Sequence, residues 1–324
     1  MVGTPSSGIS QTTLALLKDR AIGGIFLSGR STAGVAAIAK QTAQYRKAAT
    51  TPGTLLIATD QEGGNVQVLR GSGFSTIPSA VKQAANKTLV KSATAWGTEL
   101  AKAGVNVNLA PVADLVDKIP AAQNKPIGYY GRNYGKTEAS VEFGATDFAE
   151  GMQKAGVIPT LKHFPGLGRV YGNTDVTANV TDKYTLAGGT SIKVFKDIVA
   201  ELEFEHIQPW VMMSLAVYPN IDKTNPAAFS PKIVSILRDS GFDGVIITDD
   251  LASAKQVAGY TPADRAIKAI SAGVDIVLFS GTSKNVPAAM DAVLAKAQKD
   301  PVFAARVTES ARRVALAQAS LGAK

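Results

Sequence analysis

The sequence predicts an α/β fold, specifically a (β/α)8 TIM barrel formed as a single domain over residues 1–324, and three observations lead there. Short apolar, β-branched runs recur eight times, each ending in a turn or polar cluster. A stretch with helical spacing follows each run. No Pro/Gly/Ser-rich linker divides the chain, and no repeat of roughly 20 to 50 residues marks a solenoid.

The predicted strands are residues 1–3, 23–27, 55–59, 105–109, 157–162, 211–215, 244–248 and 274–279. Near-continuous apolar strands suit a parallel sheet covered on both faces, and closing that sheet removes its edges. A doubly wound open sheet is the alternative. Thr88 is expected to cap a helix bearing Trp96 and Leu100, and Thr137 one with Val141, Phe148 and Met152 near one stripe. The last helix, residues 302–321, carries Val307, Ala311, Val314 and Leu321 on related positions and is expected to close the ring structurally. The first strand starts at residue 1, so a preceding segment is expected to have been removed.

Composition narrows the chemistry. With 45% hydrophobic and 19% charged residues the chain has material for a large core. It has no cysteine and two histidines, His163 and His206, which excludes thiol nucleophiles, disulfides and cysteine-bearing zinc sites. The net charge of +8 is scattered through helix-like segments, so it reads as a solvated basic surface and not a nucleic-acid site. Such a surface suits work near an anionic cell wall or membrane. No apolar run approaches the roughly 18 residues that span a bilayer. No metal and no organic cofactor is expected, the glycine-rich dinucleotide fingerprint being absent after any strand.

In a barrel of this kind catalytic groups sit just beyond the carboxyl ends of the strands. Those ends carry Asp60 after LLIAT, Asp114 after NLAPVA, Lys162 and His163 after VIPTL, and Asp249 with Asp250 after GVIIT. Side chains alternate along a strand, so only one of Asp249 and Asp250 is expected to aim into the mouth, and spacing does not say which.

The segments ATDQEGGNVQVLRG, NLAPVADL, LKHFPGLG and GFDGVIITDDL, in this order, resemble the signature segments of glycoside hydrolase family 3 over nearly the whole chain. MMSLAVYP, PAAFS and PIGYYGRNYG resemble in particular its single-domain bacterial β-N-acetylglucosaminidases, which act on cell-wall sugars. The resemblance implies a carbohydrate substrate and a retaining exo-β-glycosidase. It makes Asp249 the nucleophile and gives Asp60, Arg132, Lys162 and His163 the hydroxyls of the sugar whose bond is cut. Lys162 and Arg132 are expected to depress the pKa of Asp249. Arg70, in the same segment as Asp60, and Asp114 are further candidate contacts.

The chain departs from that pattern at the general acid. The acetylglucosaminidases carry Asp-Ser-His on the loop after KHFPGHG, with histidine as acid/base, whereas Asn173, Thr174 and Asp175 align here. Asp175 is therefore the candidate acid, given a pKa raised by burial or by Asp249. An anionic acid/base repels phosphate, so hydrolysis is expected over phosphorolysis. Asn65 and Val68 stand where those relatives have arginines, and Leu167 and Leu215 where they have histidines. Two other readings stand beside this one: a sugar-binding barrel without catalysis, and an unrelated barrel with a phosphate cradle at Ser280, Gly281 and Thr282. A monomer, placed outside the cytoplasm and lipid-anchored, is expected, with a cytoplasmic location as the alternative.

Overall fold

The computed structural model describes residues 1–281 and 283–322. Seven of the eight expected runs form one parallel sheet: β1 (Val2–Pro5), β2 (Gly24–Ser28), β3 (Leu56–Thr59), β4 (Val107–Asn108), β5 (Ile158–Phe164), β6 (Trp210–Met213) and β7 (Ile246–Thr248). The strands pair in chain order without the reversal that defines a doubly wound sheet. The doubly wound alternative therefore fails.

The eighth run, residues 274–279, is a bridged segment and not a regular strand. Isolated parallel bridges join Val2 to Phe279 and Ile247 to Ile276. Side chains interrupt its ladder: Thr248 Oγ1 takes the Leu278 N–H (3.0 Å) and Asp275 Oδ2 takes the Ile246 N–H (2.9 Å).

The two-residue period of the strands divides the apolar residues between two cores. Phe26, Leu56, Ala58, Leu109, Met212, Ile247, Ile276 and Leu278 point inward and form one cluster. Their neighbours Ile25, Leu27, Ile57, Val211, Met213 and Ile246 point outward into a second, larger cluster beneath the helices.

Those helices are α1 (Gln11–Asp19), α2 (Val35–Ala48), α3 (Leu89–Lys102), α4 (Glu138–Lys154), α5 (Thr190–Phe204), α6 (Pro231–Arg238), α7 (Pro262–Ala272), α8 (Val286–Lys299) and α9 (Pro301–Gly322). Their ends follow local chemistry. Thr137 makes a reciprocal capping box with Ser140 at the start of α4, and Thr261 caps α7 ahead of Pro262. Thr88 precedes α3 but its side chain does not cap; its hydroxyl and N–H both donate to Asn86 Oδ1. On α9 the expected stripe is rotated: Ala311 is exposed, while Phe303, Ser310 and Arg313 are buried. Val314, Ala317 and Leu321 pack against the inner cluster. Among the described residues no helix is long and apolar enough to cross a membrane.

Candidate active site

The carboxyl ends of the strands surround a cavity of about 640 Å³. Six expected residues line it: Asp60, Arg132, Lys162, His163, Asp175 and Asp249. Two others do not reach it. Arg70 donates to Gly64 O (2.9 Å) on the flanking hairpin. Asp114 is fully buried behind the wall.

Lys162 and His163 are consecutive, yet both line the cavity. The β5–β6 register shifts between Lys162 and Phe164, and the extra residue of such a bulge re-aims a side chain. Lys162 Nζ pairs with Asp60 Oδ1 at 2.7 Å and with Glu62 Oε1 at 2.6 Å. His163 Nδ1 lies 2.7 Å from Asp114 Oδ2, while Asp114 Oδ1 accepts from the His163 and Leu167 N–H groups at 3.0 and 2.7 Å. With Nδ1 donating to the carboxylate, Nε2 is left to face a ligand. Asp114 is thus a positioning group for His163 and not a contact.

Glu62, absent from the sequence-based candidates, is the hub of the charged wall. Arg132 grips it through Nε (2.9 Å) and Nη2 (2.7 Å), and spends Nη1 on Pro126 O (2.7 Å). Burial alone would raise the Glu62 pKa, but Arg132 and Lys162 outweigh it and hold the group down at about 2. The same carboxylates outweigh burial at Lys162 and Arg132, whose pKa values are raised. Glu62 sits on a hairpin, Gln61–Gly63 with Val66–Gln67, that is tied to β4 by Asn108, which bonds both the N–H and the C=O of Gln61. The signal for it was the glutamate of ATDQEGG, two residues beyond Asp60.

Asp249 and Asp250 both line the cavity, contrary to the alternation argument, because β7 ends at Thr248 and both lie beyond the pleat. Their roles still differ. Asp250 accepts three backbone N–H groups, from Ala252 (2.8 Å), Ser253 (3.0 Å) and Ser280 (2.8 Å), and so shapes the turn. That last bond also disposes of the phosphate cradle: the Ser280 N–H is occupied by a carboxylate, which repels phosphate. Thr282 lies outside the described residues.

Among the described residues, Asp249 accepts the Asp250 N–H (2.8 Å) in the closing turn and no other hydrogen bond. Its pKa is raised, the opposite of the expected depression: burial dominates, and His163, the Asp250 N–H and Lys162 only partly offset it. Arg132 and Lys162 are already neutralised by Glu62 and Asp60. Asp175 lies on an exposed turn, but its carboxyl faces the cavity, where burial and then the charge of Asp249 push its pKa up to about 6. Both effects act in the same direction.

Besides Glu62, which stands behind the lining, Arg30 and Tyr130 were not among the sequence-based candidates although both line the cavity. Arg30, from the turn after β2, donates to Asn65 O (3.0 Å), which puts a guanidinium beside Asn65, the residue that stands where the resembled acetylglucosaminidases have an arginine. Asn65 and Tyr130 form a shared wall with a second cavity of about 520 Å³. His206 sits in a left-handed turn just past α5, exposed and away from the cavity. No group of three or more His, Asp or Glu side chains among the described residues is placed to hold a metal ion.

Residues 2–317 match the family model described as the glycosyl hydrolase family 3 N-terminal domain. The chain is 30% identical over 250 residues to the beta-hexosaminidase LpqI of Mycobacterium tuberculosis, an alignment covering 74% of this chain and 62% of that protein. It is 31% identical over 293 residues to a beta-hexosaminidase of Xylella fastidiosa, covering 86% and 82% respectively. The crystal structure of a beta-N-acetylhexosaminidase from Beutenbergia cavernae superposes with a TM-score of 0.94 at 49% identity, covering 98% of this chain and 96% of that one. A family 3 beta-N-acetylglucosaminidase from Paenibacillus superposes at 0.87 and 27% identity, covering 99% and 61%.

Proposed function

The chain belongs to glycosyl hydrolase family 3, and from that premise we propose that it is a retaining exo-β-glycosidase of N-acetyl-β-glucosaminidase type. Asp249 is the nucleophile and Asp175 the general acid. The observation that carries this reading is a pair of carboxylates in one cavity, of which Asp175 has its pKa lifted to about 6. A retaining enzyme needs one ionised and one protonated carboxyl at the scissile bond. The Asp250 N–H, with His163 and Lys162, partly offsets the burial that raises the Asp249 pKa, and the reading assigns the charge to Asp249 and the proton to Asp175.

Asp60, Arg132, Lys162 and His163 hold the sugar's hydroxyls. The Asp60–Lys162–Glu62–Arg132 chain is internally neutral and rigid, so it offers oriented donors and acceptors without a field strong enough to bind an anion. The nucleophile attacks the anomeric carbon as Asp175 passes its proton to the leaving oxygen; the Asp175 carboxylate then takes a proton from a water whose oxygen attacks the same carbon, which breaks the bond to Asp249 and frees the sugar. An anionic Asp175 disfavours phosphate at that second step, so water is the acceptor.

We further propose that the bridges of residues 274–279 complete an eight-stranded barrel, that residues 1–324 act as one monomeric domain, and that the substrate is an envelope glycan met outside the cytoplasm. Support for the last comes from the names of the relatives, one of them an uncharacterized secreted glycosyl hydrolase of Arthroderma benhamiae. The test is a panel of aryl glycosides covering several sugars and both anomers, run on the protein and on Asp249→Ala. Turnover of an aryl N-acetyl-β-glucosaminide that disappears in the variant supports the reading. Saturable glycan binding with no turnover of any member would point instead to a sugar-binding barrel.

A further inference from the structure

Residues 165–189, between β5 and α5, carry Asp175 out over the cavity. The near end of this excursion is held by buried groups. Asn124 Nδ2 donates to Leu167 O (3.0 Å) and Val170 O (2.7 Å), and Arg169 grips Asp117 at 2.7 and 2.8 Å. Gly166, at φ +127° with no room for a Cβ beside Ser191 Oγ, lets the chain turn there. Residues 176–179 are exposed and bury nothing that would fix them.

Beyond their own turn they are attached at Val217, whose N–H donates to Val180 O (3.0 Å) and whose C=O accepts the Asp182 N–H (2.9 Å), and at the loop that follows Asp249. The N–H groups of Lys255 and Gln256 donate to Asp175 O and Thr174 O, each at 3.0 Å. The Gln256 amide then takes both polar groups of Val180, accepting its N–H through Oε1 (2.8 Å) and donating through Nε2 to its C=O (3.2 Å). A primary amide is a neutral side chain that offers a donor and an acceptor side by side, so it completes one residue of backbone as a neighbouring strand would. Val257, next along, is fully buried and seats this 3-10 turn in the core.

We propose that Gln256 is a positioning residue for the general acid: by pairing with Val180, which Val217 holds from its other side, it ties the far end of the Asp175 arm to the loop that carries Asp249, and so sets the separation of the two carboxylates. The inference rests on Asp175 being the acid. A proton donor that wanders by an ångström forfeits much of its effect, and the loss shows only when the leaving group needs a proton.

The experiment compares kcat/KM for a dinitrophenyl glycoside, whose leaving group needs little protonation, with that for a simple alkyl glycoside or disaccharide of the same sugar. Wild type, Gln256→Met, Gln256→Glu and Asp175→Ala are measured, each checked for a native thermal transition. In Gln256→Met the ratio of activated to unactivated kcat/KM should rise on the order of tenfold; Gln256→Glu, which keeps an acceptor for the Val180 N–H, should fall between it and wild type. An unchanged ratio in Gln256→Met, or equal losses on both substrates, overturns the proposal. Should the ratio stay unchanged in Asp175→Ala as well, the assignment of the acid fails first and the inference falls with it; a ratio that moves in Asp175→Ala alone sinks only the role of Gln256.

Discussion

Replacing Glu62 by glutamine tests whether the charged wall of the cavity is organised around that carboxylate. The group is 6% exposed, accepts both forks of Arg132 and one Lys162 bond, and titrates at about 2 against an ordinary 4.5. A depression of that size corresponds to roughly 3 kcal/mol of native-state stabilisation at neutral pH. Its sign follows from the direction of the shift: the stabilisation is fully present above the unfolded pKa of 4.5 and is lost as pH falls through about 2. Glu62→Gln also leaves Arg132 and Lys162 sharing Asp60 alone, an uncompensated buried charge that raises the expected cost to about 3–5 kcal/mol. Urea unfolding of wild type and Glu62→Gln should therefore show that difference at pH 7, shrinking by roughly half at pH 3. A difference below about 0.5 kcal/mol, or one independent of pH, would refute the reasoning, since it would mean the cations find other partners at no cost.

Three further outcomes follow from the same geometry. On substrates with poor leaving groups, kcat/KM should decline as pH rises through about 6, where Asp175 loses its proton; a profile flat to pH 8 would count against Asp175. Asp114→Asn removes the charge-assisted bond to His163 Nδ1 and should weaken binding of a sugar-like inhibitor by roughly tenfold to a hundredfold in calorimetry, with the thermal transition little moved. Phe148, fully buried on α4 and tilted against Trp96 at 6.2 Å, should cost about 3–5 kcal/mol in denaturant unfolding when cut to alanine, while the activity of folded molecules stays unchanged.

Much of the fold was legible because it is written locally. Alternating inward and outward residues in IFL, LIA and VMM divide the two cores, and Thr137 or Thr261 followed by helical spacing mark helix starts. The eighth run reads as a strand because residues 274–279 are a short apolar, β-branched run ending in a polar cluster; what spoils its ladder is Thr248 and Asp275, and their intrusion is a matter of space and not of pattern. Ala311 and Thr88 show the other limit, since a plausible stripe or cap residue does not reveal what lies across from it.

That apolar strands alternate with helices, and that ionisable groups follow the strand ends, can be read from chain order alone, because side-chain period and strand-end position are properties of neighbouring residues. How those groups divide the charge is settled by contacts between distant parts of the chain. Arg132 meets Glu62 across 70 positions, Lys162 meets Asp60 across 102, and Gln256 meets Val180 across 76. These pairings occupied Arg132 and Lys162 and left burial to raise the pKa of Asp249. Coulomb energy and desolvation depend on distance through space, and distances of that kind exist only once the chain has closed on itself.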